Sequence, residues 1–329
     1  MTKAPRRIGG AFFISGTRSM TPSIKLASAA LTLAALLGAA ACSQPGEAPA
    51  ESEAAADAIP ASTDVHPFTL GALQLAALRD GTISLPVDQS PWGDPAVVAA
   101  VLAEAGEEGD AVHLSVQPLL VRQGDRVVLI DTGAGGQMGT QNGLPGALSA
   151  AGVEAAEVTD ILISHAHGDH IGGLLNAEGA LAFPNALIRM SAPEWRAMQA
   201  GAEAQGLAGF VAAITPQVQT FEPGAAITPF LTAVPLDGHT PGHSGFAITS
   251  GDERLLYIGD ALHSAVISVR RPELVNAWDN DSDTAIATRR SLLERGAGEG
   301  QRYYGVHFPY PGLGRIEQRD GGFVWTPEP

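Results

Sequence analysis

Three textures of apolar and polar residues follow one another along the chain. From Leu26 to Ala41 the residues are apolar or small and carry no charge, a run shorter than the roughly 20 residues that span a bilayer. Residues 42–65 are rich in Ala, Pro, Ser and acidic groups, and too few large apolar residues occur there to pack a core. From His66 onward short apolar runs alternate with turn residues. Leu114–Arg122 and Arg126–Asp131 flank Gln-Gly-Asp and predict a hairpin. Leu144–Ala151 predicts a short helix, and Asp160–Ser164 a buried strand that ends at a histidine cluster. Ala186–Ser191 reads as a strand, with Pro193 suited to the first turn of a helix reaching Ala200. Ile227–Leu236, Gly245–Thr249 and Leu255–Ile258 read as strands, and Ser282 caps a helix to about Arg295. The residues after His307 read as further strands and turns. Strands with scattered helices, lacking strict βα alternation, predict an α/β domain over 66–329 with two sheets and helices outside.

Composition narrows the function classes. The 329 residues are 45% hydrophobic and 16% charged, which excludes a wholly disordered chain. With 19 Lys+Arg against 35 Asp+Glu the net charge is −16, an imbalance that argues against a nucleic-acid backbone or an anionic membrane surface as main partner. Cys42 is the single cysteine, so neither an intramolecular disulfide nor a Cys-rich zinc site is available. Both lysines and three arginines lie in residues 1–42, which hold no acid. Without that segment 14 basic residues face 35 acids, a net of −21, and lysine-based catalysis is excluded.

Residues 1–41 have the layout of a secretory signal, with a basic flank, an apolar run and Ala39-Ala40-Ala41 before Cys42. The segment resembles a bacterial lipoprotein signal, which implies lipidation of Cys42; cleavage by an ordinary signal peptidase is the alternative. Met20 is an alternative start. The expected location is periplasmic or anchored to the outer membrane, with 42–65 as a solvated tether and membrane contact only through that anchor.

The densest chemistry is His165-Ala-His167-Gly-Asp169-His170, four potential ligands directly after a predicted strand. Imidazole and carboxylate suit zinc and similar divalent metals, and Gly168 allows a sharp turn between ligands. A solvated polar loop is a poor explanation for three histidines and an aspartate within six residues.

With these motifs the chain resembles the metallo-β-lactamase-fold hydrolases from about Leu114 to Gly314. The resemblance rests on Asp131-Thr-Gly133, HAHGDH with Gly172-Gly173, Gly238-His-Thr-Pro-Gly-His243, Gly259-Asp260 and the late His307. It implies an αββα sandwich with metals at one edge between two mixed sheets. It further implies His165, His167 and His243 on one metal, Asp169, His170 and His307 on a second, and Asp260 bridging them. Zinc is the first expectation, with manganese, cobalt or iron as alternatives. A hydroxide shared by two metals would serve as nucleophile near neutral pH. Asp131 and His239 are expected to support ligands, and Asp169, Asp260 and His263 to take part in catalysis, His263 by steadying the oxyanion. Trp195, Phe308 and Tyr310 are candidates for an apolar pocket wall. The Gly-rich loop Gly135–Gly143 is either a rim of the site or an ordinary surface turn.

The residues from Asp260 resemble the methyl-parathion-hydrolase-like branch, through Gly259-Asp-Ala-Leu-His263, Arg271-Pro-Glu, Asp279-Asn-Asp-Ser-Asp283, Arg289-Arg290 and His307-Phe-Pro-Tyr-Pro-Gly. Quorum-quenching lactonases usually have tyrosine where this chain has His263. The implied reaction is hydrolysis of a neutral carboxylic ester or lactone, with phosphotriester cleavage as a side activity. The partner is then a small molecule, and a homodimer is compatible with the sequence. Two other readings remain open: a tethered metal- or ligand-binding protein without turnover, and a single-iron sulfur dioxygenase of the same fold.

Overall fold

The computed structural model describes residues 58–107 and 109–328. The expected signal, Cys42 and most of the tether lie outside them. The first sheet opens with the antiparallel pair β1 (Val65–Leu70) and β2 (Leu73–Leu78). A separate hairpin follows, β3 (Gly81–Pro86) and β4 (Ala111–Val116), with helix α1 (Pro95–Glu104) between its strands. The chain returns to the first sheet with β5 (Leu119–Gln123) and β6 (Arg126–Ile130), then crosses through α2 (Leu144–Ala150) to β7 (Asp160–Leu162). The short α3 (Gly168–Ile171) precedes β8 (Leu187–Ser191), and α4 (Ala192–Gly201) with α5 (Ala208–Ile214) leads to β9 (Val218–Phe221). Strand order is β1-β2-β5-β6-β7-β8-β9, with the last three strands added in parallel.

The second sheet runs in sequence order: β10 (Ala226–Thr228), β11 (Leu231–Pro235), β12 (Ser244–Ser250), β13 (Glu253–Tyr257), β14 (Arg302–Tyr304), β15 (Leu313–Arg319) and β16 (Gly322–Pro327). Its one parallel pair, β13 with β14, is joined through α6 (Ile267–Arg270) and the long α7 (Ser282–Glu299). Leu75, Val121, Ile130 and Leu162 of the first sheet pack against Phe246, Ile248, Tyr257 and Tyr304 of the second. The outer face of the first sheet is covered by Leu148 of α2 and by Trp195 and Met198 of α4, that of the second by Leu292 and Leu293 of α7. This is the expected αββα sandwich. Most of its strands are buried on both faces, which is why they read as continuous apolar runs.

Several expectations are corrected. Leu114–Arg122 is not one strand, because Pro118 has no N–H to donate to a ladder. Gln117 beside it donates instead from its side chain to Gly305 O (2.8 Å) and Phe308 O (3.0 Å). β4 thereby leaves the sheet and, with α1, Trp92 and Ile267, builds a separate apolar cluster. Ile227–Leu236 likewise divides into β10 and β11 around Pro229. Ile59 is buried and Val65 opens β1, so ordered packing begins before His66. Among the described residues no helix is long and apolar enough to cross a membrane.

Candidate metal centre

The site forms where β6, β7, β13 and β14 end together at one edge of the sandwich. Asp131 leaves β6 with φ of 60°. Its carboxylate accepts from Ser164 N (2.7 Å), Ser164 Oγ (2.7 Å), Tyr257 Oη (2.7 Å) and His170 Nδ1 (2.8 Å). It thus joins the ends of β6, β7 and β13 and holds the His170 ring. Gly173 is required because the 131–134 turn presses on it: a Cβ there would lie 2.2 Å from Thr132 O. Glu194 of α4 is a buried staple, accepting from Ala166 N (2.9 Å), Gly242 N (2.9 Å) and Thr240 Oγ1 (2.7 Å). It ties the HAHGDH loop to the Gly238–His243 loop.

Two groups of converging donors result. One holds His165, His167, His239 and Asp260; the other holds Asp169, His170 and His307. Asp260 Oδ2 faces the first group, 3.5 Å from His165 Nε2 and 3.4 Å from His239 Nε2. Its Oδ1 faces the second, 3.2 Å from His170 Nε2 and 3.1 Å from His307 Nε2. His167 enters through Nδ1, 3.0 Å from His239 Nε2. N/O donors bound tetrahedrally at roughly 2.0–2.2 Å are spaced about 3.3–3.6 Å apart, close to these separations. His165 Nε2, His170 Nε2 and Asp260 Oδ1 are buried without a hydrogen-bond partner, which is costly unless a cation satisfies them. The donor set therefore fits divalent metal. The far ring nitrogens are held from outside: His170 by Asp131, His239 by Asp279 Oδ1 (3.0 Å) and His307 by Ser115 O (2.7 Å). Each contact keeps the ring proton on Nδ1 and turns the Nε2 lone pair inward.

The expected ligand His243 does not join either group. Its Nδ1 faces Leu236 O (3.0 Å) and its Nε2 accepts from Asp260 N (2.9 Å), so both nitrogens are committed to backbone. His239, expected only as support, takes its place. His263 is fully buried with Nε2 3.1 Å from Asp260 Oδ2. Asn276 Oδ1 accepts from Trp278 N (2.9 Å), which leaves its amide nitrogen facing His263 Nδ1 at 3.3 Å and the His263 proton on Nε2, inside the site.

None of the three aromatic candidates lines the site. Trp195 packs in the helix-covered core, and Phe308 stands edge-on to Trp325 at 4.7 Å. Tyr310 lies under Arg79 with its hydroxyl on Ala77 O (3.2 Å). The cleft above His167, Asp169 and Asp260 is instead walled by Ile83, Leu114, Met138 and Trp278 and measures about 240 Å³. Met138 makes the Gly135–Gly143 loop a rim of the site. A second cleft of about 410 Å³ adjoins His167 and His239. Neither is lined by Lys or Arg among the described residues. A larger hollow of about 700 Å³ beside Leu148, Phe183 and Phe210 contains none of the donors. Sequence inspection missed Asp279, Glu194, Ser115 and the cleft walls; only the surrounding Asp279-Asn-Asp-Ser-Asp283 pattern drew notice.

The electrostatics follow from packing one carboxylate among imidazoles. Burial disfavours charge on Asp260, but His170, His307, His263 and His165 outweigh it and hold the carboxyl well below its usual range. Burial also opposes charge on His239, yet its bonds to Asp260 and Asp279 lift it to about 9. Burial and the neighbouring His239 push His167 down to about 4 and His243 down to about 3.

A sandwich with this His/Asp cluster at its edge defines a metal-binding hydrolase. The chain belongs to the metallo-beta-lactamase superfamily, whose profile matches residues 113–307. It is 31% identical to AidC, a dizinc quorum-quenching lactonase solved in complex with a product, at a TM-score of 0.73, covering 80% of this chain and 97% of that one. It is 28% identical to the hydrolase AbOPH, also at a TM-score of 0.73, covering 82% and 98%. A probable metallo-hydrolase of Mycobacterium tuberculosis is 28% identical over 188 residues, 46% of this chain and 58% of the relative. The match thus spans less than two thirds of that relative's length.

Proposed function

We propose that this hydrolase uses two divalent metals, zinc foremost, to cleave a neutral carboxylic ester or lactone, with phosphotriesters as side substrates. The observation that carries the reading is Asp260, whose two oxygens are divided between two donor groups that each lack only a cation. Metals held there would supply an activated water near neutral pH and polarise the scissile carbonyl. The chain's own residues do the rest. Asp131, Asp279 and Ser115 fix the imidazole tautomers, and Glu194 holds the two ligand loops together. His263 turns its Nε2 proton to Asp260 Oδ2 (3.1 Å) and so steadies the carboxylate that the two donor groups share. Ile83, Leu114, Met138 and Trp278 offer an apolar wall, and among the described residues no Lys or Arg lines either cleft to pair with an anionic substrate. The lactonase named among the similar structures supports the same substrate class.

The test is metal titration of the full chain with a hydrolysis screen over acyl-homoserine lactones, aryl esters and phosphotriesters. Two zinc ions per chain and turnover of a neutral ester or lactone are expected. One equivalent at saturation refutes the two-metal site, and metal uptake without turnover refutes the hydrolytic reading. We further propose export and anchoring through Cys42. Labelled palmitate should enter the wild type and not Cys42→Ser; no label in the wild type refutes the anchor and leaves cleavage by an ordinary signal peptidase as the reading.

A further inference from the structure

Arg289 lies on α7, away from the donor groups, and is 1% exposed. A buried guanidinium is costly unless every side of it is matched. Its partners all belong to the segment joining α6 to α7: Nε donates to Pro272 O (3.1 Å), and Nη2 to Leu274 O (3.4 Å) and Asp279 Oδ2 (3.3 Å). The other oxygen of Asp279 meets His239 Nδ1 at 3.0 Å. The same segment carries Asn276, which faces His263, and Trp278, which walls the cleft. Backbone bonds pin its far end, from Ala277 N to Pro91 O, Asn280 N to His239 O and Asp281 N to Gly238 O, each 2.9 Å. Before Ala277 the segment's N–H groups make only local backbone bonds, Arg271 N to Ile267 O (2.9 Å) and Leu274 N to Arg271 O (3.0 Å). That stretch wraps the guanidinium.

We infer that Arg289 is a positioning residue: from behind the segment it sets the metal-ligating posture of His239 and the placement of the Trp278 wall, and so governs which neutral substrates fit. The inference rests on the proposed function for its consequence and on geometry for its cause. One charge serves both ends because Asp279 is shared, one oxygen to Arg289 and one to His239. The planar fork can span two carbonyls and a carboxylate at once, which a lysine ammonium cannot reproduce.

The test compares full-chain Arg289→Met and Arg289→Lys with Arg290→Met, an exposed neighbour on the same helix. Three readouts are taken: hydrogen exchange of residues 271–281 without added metal, stepwise zinc affinity, and KM against kcat on an aryl ester. Arg289→Met should accelerate exchange in that segment alone and weaken one of two zinc steps about 10–100-fold, the range for lost ligand support. KM should rise more than kcat falls, and Arg289→Lys should recover only part of each effect. Exchange and both zinc steps equal to Arg290→Met would overturn the inference. Should Arg289→Met not fold, Asp279→Asn decides: it must weaken the same single zinc step, and an unchanged affinity overturns the proposal. The exchange readout stands without metal or turnover, so failure of the hydrolase reading is separately visible.

Discussion

Replacing His239 and His243 by alanine, one at a time, separates a metal ligand from a structural histidine four residues away. His243→Ala removes the acceptor of Asp260 N and the partner of Leu236 O. Each stranded buried backbone group costs about 1–3 kcal/mol, so the loss is about 2–6 kcal/mol. For a domain of this size that lowers Tm by about 5–20 °C. Both donor groups stay complete in this variant, so the proposed two zinc ions per chain should still bind. His239→Ala removes Nε2 from the group containing His165, His167 and Asp260, and one zinc should be lost. Metal analysis after dialysis and thermal unfolding with and without chelator read the two effects independently. If His243→Ala releases a zinc at unchanged Tm in chelator while His239→Ala retains both, the assignment of His239 is wrong.

The shifted histidines make metal uptake pH-dependent. His239 titrates near 9, and His170 and His307 are also raised, burial being outweighed by Asp260 and Asp169. Zinc binding at pH 7 should therefore release protons, visible as buffer-dependent heats, with affinity rising up to about pH 9; a flat profile from 6.5 to 9 refutes this. By the same sign the chelated protein has the full His239 contribution below pH 6.5 and loses it toward 9, so its Tm should fall over that interval. Asp131→Ala strands four donors, including Ser164 N and His170 Nδ1, and should weaken zinc at the His170 group about 10–100-fold by equilibrium titration. Trp278 is 38% exposed, so Trp278→Ala should shift stability by less than about 1 kcal/mol. It should nonetheless raise KM for apolar esters with little change in kcat, and an unchanged KM removes Trp278 from the substrate wall.

Much of this centre is legible in one dimension because its densest part is local. His165, His167, Asp169 and His170 share one strand-to-helix turn, and Asp131 and Asp260 each sit where a recognisable strand ends. The strands between Leu119 and Tyr257, β9 excepted, also announce themselves as apolar runs. β1 and β2 do not: β2 is apolar on both faces except at Gln74, so no period distinguishes strand from buried helix.

His239 and His243 show where linear reading stops. Both lie in one Gly-His-Thr-Pro-Gly-His run, and residue type and spacing treat them alike. The choice is made by Leu236 O and Asp260 N, which occupy both nitrogens of one ring, and by Asp279, which orients the other. Those partners come from β11, the end of β13 and the approach to α7. The cleft walls are assembled the same way, with Ile83 and Leu114 arriving on a hairpin that exists because Pro118 breaks the strand. The sequence by itself determined the metal-binding chemistry of the histidine cluster and the layered class of the fold, since these depend on residue type and local period. Which nitrogen is free, which aromatic meets substrate and what Arg289 holds were decided only when distant segments packed, because hydrogen-bond partners and buried surfaces are properties of neighbours in space.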